Sequence, residues 1–202
     1  MPLVIHPRVR KFVARVAALT SLAIFGGAGA AFAACPAQPV STPFSHWGDD
    51  NLYFAVPGGT FQGTAAQIGW SLDNASLTAG GPTGADETSL TIDGNGSATS
   101  PWFCVDNTMP SFRFFAKEDA PGSDLLVEGV VRLPWGTRTF TYPVAEIRDG
   151  SMSSWGLVAP ITVATAKLPN GTTLPVEIRF VVPGGSGSWS VDDVYIDPYR
   201  LG

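Results

Sequence analysis

Apolar and polar positions alternate over short distances along most of this chain. In Val176–Val182, apolar side chains occupy every second position, while Glu177 and Arg179 fall on the opposite face. A period of two is the pattern of a half-buried β-strand. No segment after residue 33 carries a convincing period of 3.6, so the pattern predicts an all-β protein. The predicted strand runs are Leu52–Val56, Gln67–Leu72, Ser89–Ile92, Ser111–Ala116, Leu125–Leu133, Arg138–Ile147, Ile161–Leu168, Leu174–Val182 and Trp189–Ile196.

Turn-forming residues separate these runs. The sequence contains 23 Gly and 17 Pro, many of them in pairs such as Gly58-Gly59 and Gly184-Gly185. Such pairs mark tight turns between strands. Asn170-Gly171, between two β-rich runs, predicts a hairpin. Many short strands at regular spacing within one domain predict a single antiparallel β-sandwich.

The first 33 residues have the pattern of a secretory signal peptide. Four basic residues precede a short apolar run, and the segment ends in Ala31-Phe32-Ala33. A basic start, an apolar core and small residues at the cleavage site define such a signal, and this core is too short and broken for a membrane span. The Arg- and Ala-rich leader is bacterial in type. We therefore expect a signal peptide over residues 1–33, an extended segment over 34–50 and a β-sandwich domain over 51–202.

Removal of the predicted signal changes the charge of the protein. The whole chain carries 12 Lys and Arg against 17 Asp and Glu, a net charge of −5. Four basic residues and no acidic residue lie in the signal, so the mature chain is more acidic still. This charge argues against nucleic acid and anionic lipid as partners. It fits a soluble extracellular protein, or one that meets cations, and we expect no transmembrane segment.

Two cysteines, Cys35 and Cys104, agree with export. An even number of cysteines in an oxidising compartment predicts a disulfide between them. The alternative is a lipid anchor, because Phe32-Ala33-Ala34-Cys35 loosely resembles a bacterial lipobox. Phe is a poor match for that motif, and lipidation of Cys35 would leave Cys104 unpaired. The disulfide is the favoured interpretation.

The last strand carries two adjacent carboxylates, Asp192 and Asp193, between apolar residues. Because neighbouring side chains of a strand point to opposite faces, one carboxylate must point inward unless a bulge intervenes. An inward carboxylate needs a cation or several hydrogen-bond donors. One available cation is Arg113, which lies in the apolar segment Phe112-Arg113-Phe114.

Both ends of the domain carry motifs that resemble a known family. The matched residues are Gly58, Gly59, Phe61 and Gln62 near the first strand, and Trp189, Val191, Asp192, Asp193 and Val194 in the last strand. They resemble the edge motifs of jelly-roll carbohydrate-binding modules of the galactose-binding-like group. The resemblance implies a jelly-roll sandwich with adjacent end strands. It also implies a structural calcium ion held by Gln62, Asp192 and Asp193. Gln62 stands where the family has Glu, so it would bring an oxygen without charge.

Six tryptophans are the candidate ligand contacts. Aromatic rings pack against the apolar faces of sugars, with nearby polar groups for the hydroxyls. Trp70 and Trp189 lie in apolar runs and are expected in the core, and Trp102 is expected to cover the disulfide. Trp135 and Trp155 lie in predicted turns, which makes them the predicted ligand contacts.

The sequence gives little support for catalysis. It contains neither a Gly-x-Ser-x-Gly elbow nor a His-Glu-x-x-His zinc pair. We therefore expect a secreted, non-enzymatic protein that binds an extracellular or cell-envelope carbohydrate. One alternative is a structural or adhesive envelope protein that binds other proteins. The other is a jelly-roll polysaccharide lyase or hydrolase.

Overall fold

The computed structural model of the chain describes residues 35–84, 87–133, 138–163 and 168–198. The predicted signal peptide over residues 1–33 lies outside the described residues. The described residues belong to one compact unit, Phe32–Gly202. No helix among them is long and apolar enough to cross a lipid bilayer.

The described part of the chain is built almost entirely from strands, in agreement with the period of two in the sequence. It also contains a 3₁₀ turn at Ser45–Trp47 and a one-turn helix, α1, at Ala65–Ile68. The strands are β1 Phe54–Ala55, β2 Ser71–Ala79, β3 Thr88–Thr99, β4 Phe103–Asp106, β5 Ser111–Ala120, β6 Leu125–Arg132, β7 Thr139–Ile147, β8 Gly156–Leu157, β9 Ile161–Thr162, β10 Thr173–Val181 and β11 Ser188–Asp197.

The strands form a curled antiparallel sheet with two layers, a β-sandwich of jelly-roll type. Strand β3 belongs to both layers, because Leu90 pairs with Val191 of β11 and Ala98 pairs with Phe180 of β10. One layer continues from β11 to β5, which pairs with β8 and β9. The other continues from β10 to β6 and then β7. The predicted fold class is confirmed.

The core lies between these two layers. Alternate residues of β10 and β11, among them Phe180, Trp189 and Val191, are fully buried there. Trp70 stacks on Phe180 with ring centroids 6.0 Å apart. Trp70 and Trp189 are therefore core residues, as the sequence predicts. Their indole N–H groups donate to the carbonyl oxygens of Pro57 and Ser123.

The two ends of the domain pair with each other, as the family resemblance implies. Phe54 of β1 pairs with Ile196 of β11. Immediately after β1, Gly59 lies against Val194, and a Cβ atom on Gly59 would stand 2.9 Å from the Val194 oxygen. Gly58 is still more crowded, since a Cβ there would lie 2.0 Å from the oxygen of Ile68. Only glycine fits at such a close approach of two backbones.

The predicted disulfide is confirmed. Cys35 and Cys104 are bonded, with Cα atoms 5.4 Å apart, and the described chain has no free cysteine. The bridge joins the first described residue to β4. Because it closes a loop across 69 residues of sequence, the chain-entropy estimate of its stabilising effect is about 4 kcal/mol.

Local structure differs from the sequence prediction in the run Gln67–Leu72. Its first residues form the end of α1, which ends at Gly69 with φ 71°, and strand β2 begins only at Ser71. The side chain of Gln67 accepts a hydrogen bond from the Thr64 backbone N–H at 2.8 Å. This contact between the third residue of a helix and its N-cap stabilises the first turn. This capping contact favours a helix more strongly than the composition of the run favours a strand.

The turn of the predicted hairpin at Asn170-Gly171 is present, but residues 164–167 of its first predicted strand lie outside the described residues. The Thr172 N–H donates to the Pro169 oxygen at 3.0 Å, and Gly171 has φ 77°. Among the described residues, however, β9 pairs with β5, while β10 pairs with β3, β4 and β6. The pairing across this turn therefore stays a prediction.

Substitution of Gly58 tests the close approach of the two backbones. Gly58 and Gly150 have similar φ values, 67° and 75°, but a Cβ on Gly150 would meet nothing within 4 Å. Gly150→Ala should cost only the left-handed strain, about 1–2 kcal/mol. Gly58→Ala adds a clash with the Ile68 backbone and should cost well over 3 kcal/mol. Urea denaturation of both variants measures the difference, and equal losses would contradict this account.

Candidate functional site

The paired aspartates lie at a β-bulge in β11. The register between β11 and β5 shifts between Asp192 and Tyr195, and Asp193 has φ 53°. One extra residue in a strand re-aims the side chains around it. Asp192 is 1% exposed, and its carboxylate accepts the Asp193 backbone N–H at 2.8 Å. The apolar alternation resumes after the bulge with Val194 and Ile196 in the core.

A third carboxylate, Glu87, lies beside this pair at the start of β3. A Cβ on Gly81 would lie 2.2 Å from a Glu87 oxygen and 2.8 Å from an Asp192 oxygen, so the two side chains meet at this glycine. Burial and the charge of Asp193 raise the pKa of Asp192 to about 8. Burial and the charge of Glu87 raise the pKa of Asp193 to about 6. No cation of the described chain contributes to either pKa.

Gln62 approaches the same region from the turn after β1. The turn places Phe61 in the core with φ 51°, and its ring meets Trp70 with centroids 4.9 Å apart. The Gln62 amide nitrogen then donates to the carbonyl oxygens of Thr60, at 3.0 Å, and Thr88, at 3.2 Å. Thr88 follows Glu87 directly. The fold therefore brings Gln62 toward the carboxylates that the sequence resemblance connects with it.

The donor types at this bulge fit a hard cation, because calcium prefers carboxylate and amide oxygens. Within the described ranges, no three Asp, Glu, His or Cys side chains are grouped so as to hold a metal ion. Like charges without a counter-ion keep carboxylates apart, and burial favours their protonated forms.

Arg113 is not the partner of these aspartates, so that sequence-based alternative is wrong. Its guanidinium forms an ion pair with Asp49, and its Nε donates to the Val158 oxygen at 3.1 Å. Asp49 also accepts a hydrogen bond from the Tyr53 hydroxyl at 2.6 Å. The physical reason is the bulge, which turns Asp192 toward Glu87 while Arg113 pairs with the strand beyond the bulge at Tyr195.

Trp155, one of the two predicted ligand contacts, lies beside β8 and is half-buried. It packs against an apolar cluster on the outer face of the β11–β5 layer, formed by Phe44, Tyr53 and Phe115. The Lys117 ammonium lies 5.4 Å from its ring centroid. The other predicted contact, Trp135, lies outside the described residues.

Another tryptophan, Trp102, lies on the outer face of the β10–β6 layer. Phe103 pairs with Val176, so Trp102 is placed beside Glu177 on the outward side of the sheet. The Arg132 guanidinium lies over the Trp102 ring, 4.2 Å from its centroid. Burial raises the pKa of Glu177, although the charge of Arg132 acts against that rise. We call Trp102, Arg132 and Glu177 the Trp102 face.

Further polar groups extend this face along β10. Arg179 forms an ion pair with Glu128 of β6 at 3.1 Å and donates to the Ser97 hydroxyl at 3.4 Å. The side chains of Arg179 and Glu128 are 39% and 22% exposed, so they remain accessible to a ligand. The surface combines a flat ring with charged donors and acceptors. That combination is typical of sites that bind polyhydroxylated ligands.

Sequence reasoning missed this face for a definite reason. The alternation in β10 already put Glu177 and Arg179 on one outward face. The position of Trp102, however, depends on the pairing of β4 with β10, about 70 positions apart in the chain. The preceding residue, Pro101, indicates a loop between strands. No neighbouring residue shows on which face of the sheet the Trp102 ring lies.

The chain matches no protein-family model and no curated protein. Its fold is similar to that of solved carbohydrate-binding modules. One is in the CBM22-1–GH10 modules of xylanase 10B from Clostridium thermocellum, complexed with xylohexaose, with 16% identity and a TM-score of 0.53. Another is the CBM22-1–CBM22-2 tandem of Xyn10C from Paenibacillus barcinonensis, with 14% identity and a TM-score of 0.52.

The extent of these matches limits what they establish. They cover 74% and 84% of this chain, but only 29% and 47% of the two solved chains. This chain therefore spans less than half the length of either. At such identities the likeness establishes the fold, which is the jelly roll of carbohydrate-binding modules.

The carboxylates at the bulge predict an unusual pH dependence of stability in metal-free buffer. The pKa of Asp192, about 8, lies above its usual value of 3.8. Its contribution to stability is therefore complete below pH 3.8 and is lost as pH rises through about 8. We expect Asp192→Asn to make the free energy of unfolding less dependent on pH between about 5 and 8, by at most about 1.4 kcal/mol per pH unit.

Urea denaturation at several pH values measures this effect. Asp93→Asn is the matched control, because Asp93 is an exposed aspartate of β3. Parallel pH profiles for wild type and Asp192→Asn would show that the Asp192 carboxyl is not the titrating group.

Proposed function

We propose that this protein binds carbohydrate without acting on it, and that the Trp102 face is its glycan-binding surface. The observation that carries the proposal is the outer sheet face on which the exposed Arg132 and the half-buried Trp102 and Glu177 lie together. The apolar side of a sugar ring would pack on the indole. Arg132 and Glu177 would then donate to and accept from the ring hydroxyls.

The charged neighbours of the Trp102 ring indicate how a bound sugar chain would run across the proposed site. The Arg132 guanidinium now covers the Trp102 ring at 4.2 Å from the centroid. A sugar that stacks on the indole must therefore displace the guanidinium sideways, toward the hydroxyls at the rim of that sugar. Arg179, Glu128 and Ser97 continue the polar surface beyond the first sugar, which suits a chain of several sugar units.

The similarity to solved modules supports the class of ligand. One of those structures holds xylohexaose, so linear β-linked xylo-oligosaccharides are the first ligands to test. Of the two ligand contacts predicted from sequence, Trp135 enters the proposal as a secondary contact, and Trp155 serves as the comparison. Trp135 follows Arg132 by three positions in the chain. Trp155 offers a half-buried ring on the outer face of the other layer.

We further propose that the protein is secreted after removal of residues 1–33. The disulfide supports this proposal, because such bonds persist in oxidising compartments. Cys35 is one of its two partners. A disulfide-bonded Cys35 has no thiol to lipidate, which favours a free secreted protein over a lipid anchor.

Substitution of Trp102 tests the glycan proposal. Trp102→Ala should weaken binding of xylohexaose by at least about tenfold, or 1.4 kcal/mol, because the stacking surface is lost. Trp155→Ala, which removes a ring of comparable burial on the other layer, should change the affinity much less. Isothermal titration calorimetry on the wild type and both variants gives the comparison.

The alternatives give different outcomes in the same experiment. An unchanged affinity in Trp102→Ala together with a large loss in Trp155→Ala would move the site to the other layer. No binding of xylohexaose, or of any glycan on an array, by the wild type would overturn the proposed function.

We also propose a structural calcium ion at the bulge, held by Gln62, Asp192 and Asp193 with Glu87 beside them. Three features support it: the oxygen donors, the burial of Asp192, and the like charges that no cation of the described chain balances. Bound calcium would supply the missing positive charge and draw the carboxylates together. The ion would act on stability, at a distance from the Trp102 face.

Removal of calcium should therefore lower the melting temperature. At free calcium of about 100 times the dissociation constant, the ion would stabilise the fold by about 2.7 kcal/mol, a shift of about 5–10 °C in this size range. Asp192→Asn should remove the response, and Gln62→Glu should strengthen it by adding a charged ligand. Differential scanning calorimetry with excess calcium or with EGTA measures the shift. Identical melting curves would overturn the calcium site.

A further inference from the structure

The two arginines beside the Trp102 face differ in how their charges are balanced. Arg179 is paired, because its guanidinium contacts Glu128 at 3.1 Å and donates to the Ser97 hydroxyl at 3.4 Å. Arg132 takes part in none of the three ion pairs between described residues, and it is exposed. The Arg132 guanidinium is therefore a cation that an anionic group of a ligand can reach.

The residues next to Arg132 in the sequence supply no counter-ion either. Residues 134–137, which lie outside the described ranges, are Pro, Trp, Gly and Thr, and none of them is charged. The next charged residue along the chain is Arg138, a second cation. Among all residues outside the described ranges, only Asp86 has an acidic side chain, and it is bonded to Glu87 beside the bulge.

Arg132 reaches the Trp102 ring by crossing β10. Val176 of β10 pairs with Phe103 of β4 on one side and with Val131 of β6 on the other. Neighbouring strands lie about 4.8 Å apart, so a side chain of β6 must extend over two strand spacings to meet a ring beside β4. The Arg132 guanidinium does so and lies 4.2 Å from the ring centroid. The cation is therefore held over the middle of the sheet, where a bound sugar chain would lie.

A neutral sugar and an acidic sugar would meet this cation differently. A sugar that stacks on the indole moves the guanidinium to the rim of the sugar, and the cation–π contact is lost. A hydroxyl at the rim offers the guanidinium a neutral acceptor in its place. A carboxylate offers a charged acceptor that arginine can bind through two parallel N–H bonds. The acidic sugar therefore gains more from Arg132 than the neutral sugar does.

Acidic side chains on the same face limit how much negative charge a ligand can carry. Glu177 lies beside Trp102, Glu128 lies beside Arg179, and the whole chain has a net charge of −5. A polymer charged on every sugar would bring carboxylates close to these glutamates, and like charges repel. A glycan with a neutral backbone and isolated acidic groups avoids that repulsion and still offers a carboxylate to Arg132.

These observations narrow the class of ligand. We propose that the Trp102 face binds a glycan whose neutral backbone carries isolated uronic acid groups, and that Arg132 selects the carboxylate of such a group. Trp102 and Glu177 hold the neutral backbone. The inference rests on the proposed glycan-binding function and adds the charge of the ligand to it.

Xylohexaose that carries one glucuronic acid group tests this inference, with plain xylohexaose as its neutral counterpart. We define the acidic preference as the Kd for the neutral compound divided by the Kd for the acidic compound. The wild type should show an acidic preference of about fivefold at low salt, the size expected for one exposed ion pair. Because salt screens exposed charges, the preference should fall toward one at an ionic strength of about 1 M. Isothermal titration calorimetry measures both Kd values.

Substitution of Arg132 identifies the residue that selects the charge. Arg132→Gln should reduce the acidic preference to about one, because the cation is lost. Arg132→Lys keeps the positive charge without the planar fork, so its preference should lie between those of Arg132→Gln and the wild type. The matched control is Arg148→Gln, which removes an exposed cation from the β7–β8 connection and should keep the wild-type preference. Circular dichroism of each variant confirms that the fold is retained.

The outcomes separate this inference from the proposed function. Equal affinity of the wild type for the acidic and neutral compounds would overturn the inference and leave the proposed function standing. The same holds for an unchanged preference in Arg132→Gln, for an equal loss in Arg132→Gln and Arg148→Gln, and for tighter binding of hexagalacturonate, which is charged on every unit. No binding of either xylohexaose compound would overturn the proposed function and the inference with it.

Discussion

The bulge in the closing strand is the constraint on which the rest of the structure depends. β11 pairs with β1, β3 and β5, so it joins both ends of the domain to the centre of one layer. At the bulge, the Val194 backbone exchanges hydrogen bonds with Gly59 and Val56, each 2.9 Å long. That exchange is possible only because Gly59 has no side chain to keep the two backbones apart. The turn after β1 and the shape of β11 therefore determine each other.

The two outer faces of the sandwich differ in what covers them. This difference determines which face is accessible to a ligand. On the β11–β5 layer, Phe44 and Tyr53 cover Phe115 and form a small second core. The Arg113–Asp49 ion pair is only 14% exposed on each side chain and lies under the same cover. On the β10–β6 layer, charged side chains stand at the surface around Trp102. The N-terminal segment closes one face and leaves the other accessible.

Much of this arrangement could be predicted from residues alone. The strands, the disulfide and the inward aspartate followed from alternation, cysteine number and the position of Asp192 between apolar neighbours. The bulge was recognised as a possibility, but its consequence, the meeting of Asp192 with Glu87, depends on the loop before β3. The contact of Trp102 with Arg132 could not be predicted for a similar reason, because the sequence shows the neighbour Cys104 and not the residue across the sheet. Contacts that depend on the register between distant strands cannot be predicted from a local sequence pattern.

The position of β11 has a consequence for how the molecule reaches its native state. The strand that completes one layer is the last element of the described chain, and it pairs with β1, about 140 positions earlier. The sheet therefore cannot close before β11 has been synthesised. Until the final strand arrives, β3 and β5 keep open edges that invite association with other chains. Non-local pairing of this kind also folds slowly.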